Sequence, residues 1–278
     1  EVEKALGLEG RSQVEEYGVA EYNAKCRESV LKYKDLWDDL TSRMGYWVDQ
    51  ENPYITFENK YIESVWWALH RLYEKGLVYK GYKIQWYSPG SGTVLSSHEV
   101  SLGYKETQDP SIYVKFKAHV EDNTYFLAWT TTPWTTISNM ALSINPSLDY
   151  VKVGHNNENF IVAKGTEERV FGEDFIHIED YSGFNLIGRT YEPIFDFAKK
   201  EFNANEAWKV IAADYVTTTD GTGVVHTAPA YGADDYDSCQ KAGIPMFNPI
   251  DREGKFTSEV PDYEGQWFKE ADKEIARA

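Results

Sequence analysis

The spacing of apolar residues changes near residue 110, and this change constrains the fold more than any other feature. Before it they recur every three or four positions, and after it every second position. The first spacing lays them along one stripe of a helix and the second along one face of a strand, so a helical segment over 1–109 should lead into a strand-rich one. Ser12 and Glu15 have the spacing of a capping box for a short helix that Gly18 interrupts. A longer helix is predicted next, with Tyr22, Cys26, Val30, Tyr33, Trp37, Leu40 and Met44 on one stripe. Glu28, Lys32, Asp35 and Asp39 are left for water, and Gly45 ends the helix. A further helix carries Ile62, Val65, Trp66, Leu69, Leu72 and Tyr73 and stops at Gly76, where glycine accepts a left-handed cap without strain. Such stripes require a surface to cover them.

After Pro110 the pattern is strand-like: Ile112, Val114 and Phe116 alternate with Tyr113, Lys115 and Lys117. Further strands are expected over 125–131, 150–153, 160–163, 208–216 and 223–227, separated by short turn-rich connectors. Many short strands argue for an α+β chain whose centre, 110–265, is a small β-barrel with short helices near 166–171 and 234–242. An N-terminal helical segment and a C-terminal helical return over 266–278 would flank it.

Composition narrows the function. Apolar residues make up 42% and aromatics 15%, too many for a disordered chain, and no apolar run approaches the length of a membrane span. Cys26 and Cys239 are too few for a disulfide framework or a four-cysteine zinc site, so no metal is expected and a reduced, cytosolic setting fits best. A net charge of −17 repels polyanions at long range, so any contact with nucleic acid must be local or shared with other parts. The chain opens at Glu1 without Met and ends in a helix-like run, and it is expected to be a piece of a longer protein.

Two blocks could carry chemistry. In the first, Trp129 precedes Thr130, Thr131 and Thr132, Pro133 follows, and Asn139 stands close behind. Pro133 has no backbone donor, so the threonine run must end or bend there, which frees its hydroxyls from a sheet interior. Hydroxyls that both donate and accept suit a ribose, an adenine edge or a held water. The plain alternative is a threonine-rich strand chosen for β propensity.

In the second block a strand over 223–227 containing His226 runs through a Pro/Gly loop into a helix opened by Asp234 and Asp235. A helix N-terminus favours an ionised carboxylate, so Asp235 is expected to stay an anion and pair with a cation such as an α-ammonium group. Its plain alternative is an N-cap, and that of His226 is a structural, hydrogen-bonded histidine rather than a pocket wall. The Gly90 to Gly92 and Gly221 to Gly223 stretches are too short to cradle phosphate. The Gly-x-Ser-x-Gly elbow of a serine hydrolase and a His-x-x-x-His metal pair are both absent. Trp66 and Trp67 read as packing groups.

Taken with Asn23 to Val30, Tyr61 to Trp67 and Gly92 to Val100, these blocks resemble the editing insertion of the class I aminoacyl-tRNA synthetases, the isoleucyl branch in particular, over nearly the whole chain. The resemblance implies a hydrolytic second sieve. In that family one missing methylene limits the discrimination of isoleucine from valine to about 150-fold, a figure that belongs to the family rather than to this chain, and a second site destroys the smaller product. By position, Thr130, Thr131 and Thr132 would hold the 3′-terminal adenosine or the attacking water, with Trp129 beside them and Asn139 supporting that wall. Asp235 would hold the substrate's α-ammonium, and His226 would crowd the pocket so that valine fits and isoleucine does not.

The substrate implied is valine misattached to the 3′ acceptor end of the isoleucine tRNA, or valyl-adenylate, with a water as nucleophile. The remaining synthetase is the other partner implied, the fragment itself being monomeric and cytoplasmic. Some departures matter. Ser88 to Ser91 stands where the family often has a zinc knuckle, and Thr136 replaces a usual Leu. The His-x-Gly-His and Lys-Met-Ser-Lys-Ser signatures are missing, so no cofactor is expected in this piece, ATP and Mg2+ serving the full-length enzyme. Two alternatives remain open: a valyl-type domain that clears threonine, and a noncatalytic module that binds the tRNA acceptor end.

Overall fold

The structure, a computed structural model, describes all 278 residues except the side chain of Ser12. The chain divides into two compact units, Glu1–Tyr82 and Lys83–Ala278. The first is helical: α1 (Val2–Leu6), α2 (Gly10–Tyr17), α3 (Val19–Val30), α4 (Lys34–Arg43) and α5 (Asn59–Glu74). The expected capping box does not open α2. The helix begins two residues before Ser12, with Glu9 as N-cap, and the Glu9 N–H donates to Gln13 Oε1; the side chain of Ser12 lies outside the described residues. The single long helix expected over 22–44 is two helices. Between Val30 and Lys34 the hydrogen bonds tighten to three-residue turns, Lys32 N to Ser29 O and Lys34 N to Leu31 O, although neither Gly nor Pro stands there. Gly45 and Gly76 end their helices in the left-handed conformation, as expected. Among the described residues of this unit none is fully buried, and Trp37, Leu40 and Met44 on the α4 stripe remain exposed.

The second unit holds the core. A hairpin of β1 (Tyr87–Ser88) and β2 (Thr93–Val94) leads into α6 (Ser97–Leu102), which opens on a complete capping box between Ser96 and Glu99. The strands that follow are β3 (Ile112–Lys117), β4 (Thr124–Thr130), β5 (Ala141–Ile144), β6 (Asp149–His155), β7 (Glu158–Ala163), β8 (Ile176–Ser182), β9 (Lys209–Ala212) and β10 (Val225–Thr227). The helices are α7 (Glu167–Phe171), α8 (Ala233–Ala242) and α9 (Phe268–Ile275). The fold is therefore mixed α/β with short helices.

The expected barrel is not closed. The strands form a five-stranded sheet, β3-β4-β7-β6-β8, and a three-stranded sheet, β10-β5-β9. Among the described residues only isolated bridges, Ala118 with Tyr191 and Thr190 with Lys209, connect the edge of one sheet to the edge of the other. The period-two signal near residue 110 marks the start of β3, whose Val114 and Phe116 face inward against Ala128 and Phe126 of β4 while Lys115 and Lys117 face water. The expected strand over 208–216 shrinks to four residues because Trp208 takes a left-handed φ of 56° and the chain turns after Ala212.

Phe116 is fully buried and meets Tyr191 edge to face at 5.3 Å. On another side it lies parallel to the His226 ring at 6.3 Å, so the core reaches directly under the site. Phe116→Ala should therefore destabilise the unit by about 3–5 kcal/mol, from lost burial plus the cavity left behind. Urea unfolding followed by tryptophan fluorescence measures it, and a loss below about 1 kcal/mol would mean that the ring is not part of the core.

Candidate functional site

Pro133 shapes the first wall. Strand β4 ends at Thr130, Thr131 and Thr132 turn away from the ladder, and a 3-10 helix begins at Pro133 and runs to Ser138. The turn is closed from inside: the Thr132 N–H donates to Thr130 Oγ1 (3.1 Å), and the Thr130 and Thr132 hydroxyls lie 3.3 Å apart. Helix α9 holds the other side of this wall. The buried Asp272 carboxylate accepts the Trp134 N–H at 2.9 Å, and Phe268 packs on the Trp134 ring at 4.4 Å. The expected C-terminal return thus buttresses the threonine turn within this unit.

The opposite wall comes from β10 and α8. His226 is paired with Leu142 of β5 in the three-stranded sheet, which fixes its ring inside. The loop after β10 leads into α8, where Asp235 is the third residue, behind the N-cap Gly232. Neither Asp234 nor Asp235 is the N-cap. Gly232 has a spatial reason: a Cβ there would stand 2.8 Å from Asp235 Cγ. The Asp235 carboxylate accepts the Ala228 N–H at Oδ2 (2.9 Å) and the Tyr215 hydroxyl at Oδ1 (3.3 Å).

These walls border one open pocket of about 230 Å3, lined by Trp129, Thr130, Thr131, Thr132, His226 and Asp235 together with Thr135, Val225, Ala228, Tyr231 and Gly232. Every site residue expected from the sequence borders it except Asn139. Asn139 is buried behind His226, with its Nδ2 2.8 Å from His226 Nδ1. Thr135 joins the other ring nitrogen, with Oγ1 3.0 Å from Nε2. The sequence reading missed Thr135, Tyr231 and Tyr215. The first two stood inside the blocks already singled out, but Tyr215 had no local signal because its role arises from tertiary contact alone. Among the described residues no group of three or more His, Cys, Asp or Glu is placed to hold a metal ion, and no helix is long and apolar enough to cross a membrane.

Burial raises the Asp235 carboxyl's pKa, outweighing the hydrogen bonds from Ala228 and Tyr215 that favour its ionised form. A carboxylate in this condition gains most from a cation brought into the cavity, which would restore its charged form.

A profile of the tRNA synthetases class I (I, L, M and V) matches residues 1–277. The chain belongs to this family. Isoleucine–tRNA ligases of Clostridium novyi (strain NT) and Clostridium kluyveri are 49% and 50% identical over 275 residues, and that of Bacillus thuringiensis (strain Al Hakam) is 45% identical over 276. Each match covers 99% of this chain and 26% of the relative, so the chain spans about a quarter of the length of these class I synthetases. Among solved structures, the leucyl-tRNA synthetase editing domain of P. knowlesi is similar over 63% of this chain and 94% of its own, with 13% identity and a TM-score of 0.45.

His226 gives this site a pH signature. Burial pushes its pKa down from 6.5 to about 4, so the ring is neutral at pH 7. An unfolded chain would take up a proton below about pH 6.5 that the folded chain refuses until about pH 4. The residue's contribution to stability is therefore complete above pH 6.5 and is lost as pH falls from 6.5 to 4, by up to about 3 kcal/mol. Urea unfolding across this interval should show that loss, and His226→Gln should remove this component of the slope. An unchanged slope in the variant would mean that the ring titrates normally.

Proposed function

We propose that this chain is the proofreading site of an isoleucine–tRNA ligase, a hydrolase that removes valine misattached to the isoleucine tRNA. The observation that carries this reading is the meeting of the Thr130 to Thr132 turn, the His226 ring and the Asp235 carboxylate around one open pocket of about 230 Å3. The two walls are chemically complementary to an aminoacylated ribose. One wall offers hydroxyls to a ribose and a water, and the other offers a single desolvated carboxylate to an ammonium group.

The bond to be cut is an activated ester between the amino acid and the terminal ribose, so the site needs positioning and electrostatic stabilisation more than a protein nucleophile. Thr130, Thr131 and Thr132 hold the adenosine end and the attacking water, Trp129 borders them, and Asp235 fixes the α-ammonium. His226, held from behind by Asn139, sets the depth available to the side chain and so admits valine while turning isoleucine away. The neutral His226 ring acts as a wall, since both its nitrogens are already engaged.

The tRNA acceptor end and the remaining synthetase are the partners of this reaction. It requires no cofactor here, because ATP and Mg2+ serve amino-acid activation elsewhere in the ligase. With a chain charge of −17, tRNA affinity falls chiefly to other parts, and binding by this chain alone should be weak and salt-sensitive. A monomeric, cytoplasmic protein fits this role.

Asp235→Ala should lower hydrolysis of valyl-tRNA for isoleucine by about 10- to 100-fold, the loss of a hydrogen bond to a charged group. Release of labelled valine measures it, and undiminished hydrolysis would remove the ammonium role. Asp235→Asn should lower turnover to a similar extent while leaving folding stability at pH 7 unchanged or higher. A raised carboxyl pKa marks an anion whose burial costs stability above that pKa, and an amide oxygen can still accept the Ala228 N–H.

A further inference from the structure

The cavity wall is tied to a hydrogen-bonded chain whose direction can be worked out atom by atom. The Ala141 carbonyl can only accept, and it lies 2.9 Å from Asn139 Nδ2, so the amide nitrogen faces it and the amide oxygen faces away. The second amide hydrogen then points at His226 Nδ1, 2.8 Å away, which must be the bare nitrogen of a neutral ring. The ring proton is left on Nε2, which donates to Thr135 Oγ1. That hydroxyl sends its own proton to the Thr132 carbonyl at 2.8 Å, in the turn that lines the cavity.

At the far end of this chain stands Tyr191. Its hydroxyl donates to Asn139 Oδ1 at 2.7 Å, and the residue is fully buried beneath the site without lining the cavity. A phenol so deeply buried stays protonated, its pKa driven well up by desolvation, so it can only serve as the donor here. Its ring is fixed in turn by Phe116, and its backbone N–H donates to the Trp208 carbonyl. The Asn139 carbonyl accepts the Trp208 indole N–H at 3.1 Å, so the amide is held at backbone and side chain alike.

We propose that Tyr191 is a positioning residue for the proofreading cavity: its hydroxyl anchors the Asn139 amide, which keeps His226 as the Nε2–H tautomer and thereby holds Thr135 and the Thr132 turn in the shape that lines the cavity. The inference rests on the proofreading reading for its consequence in catalysis, and on the hydrogen-bond geometry alone for the tautomer. Removing the hydroxyl leaves Asn139 Oδ1 buried without its donor. Only the Ala141 carbonyl then orients the side-chain amide, so the hold of Nδ2 on His226 Nδ1 loosens and the preference for the Nε2–H tautomer weakens.

The experiment is two-bond 1H–15N correlation of histidine-labelled protein at pH 7, which tells a bare ring nitrogen from a protonated one, with His226→Gln used to assign the signals. His226 is expected to show a bare Nδ1 and a protonated Nε2. Tyr191→Phe is expected to mix the two tautomers and to lower kcat for valyl-tRNA hydrolysis by about fivefold, the effect of one neutral hydrogen bond, with KM little changed. Thr135→Val, at the opposite end of the chain, should leave the proton on Nε2, because the tautomer is set from the Asn139 side.

A protonated Nδ1 in the unaltered protein would overturn the proposal whatever the variants do. So would a Tyr191→Phe protein whose spectrum and hydrolysis match the unaltered one. If the tautomer behaves as expected while valyl-tRNA is not hydrolysed at all, the hydrogen-bonded chain stands and the proofreading reading fails.

Discussion

Everything in the site depends on the burial of one histidine ring between two polar partners. His226 sits on a short strand of the smaller sheet, yet its nitrogens join Thr135, inside the 3-10 helix that follows the larger sheet's β4, and Asn139, which caps that helix. Because the ring is desolvated, each of its hydrogen bonds is costly to leave unmade, and together they fix the distance between the two walls. The proposed size discrimination requires walls that do not give way. Phe116 beneath the ring and the Tyr191 hydroxyl behind Asn139 supply that stiffness from the core.

Asp235 represents the opposite choice. Its carboxylate is half-buried at a raised pKa, with two hydrogen bonds that do not make up for the lost water. A positive charge beside such a group would favour its charged form, so the carboxylate gains from an incoming cation. This division of labour, a rigid neutral wall facing an under-solvated anion, suits the capture of a small amino acid better than it suits acid–base chemistry at either residue.

The sequence made the site legible because its chemistry is concentrated. Pro133 announced the bend in the threonine run, and the Pro/Gly loop announced the approach to Asp235, both from local rules. Strand β3 was legible because one face is dry and the other wet, which enforces alternation. Strand β5 was not, since all four of its residues are buried and no alternation survives. The edge strand β8 was lost for the opposite reason, with nearly every residue exposed. The break between α3 and α4 has no glycine or proline to mark it. Tyr191 and Tyr215 act only through partners many positions away, and no spacing rule could single them out among 20 tyrosines. The barrel expectation failed at a more general level: short alternating strands specify sheets, but how those sheets close depends on edge pairings that a single sequence does not display.

The most direct test of the central claim, that the threonine turn and Asp235 grip opposite ends of one aminoacyl-adenosine, is a crystal structure with a nonhydrolysable valyl-adenosine analogue. The account predicts the α-ammonium within hydrogen-bonding distance of the Asp235 carboxylate, the ribose against Thr130 to Thr132, and the valyl side chain against His226. An analogue bound elsewhere, or seated with its ammonium directed away from Asp235, would contradict it.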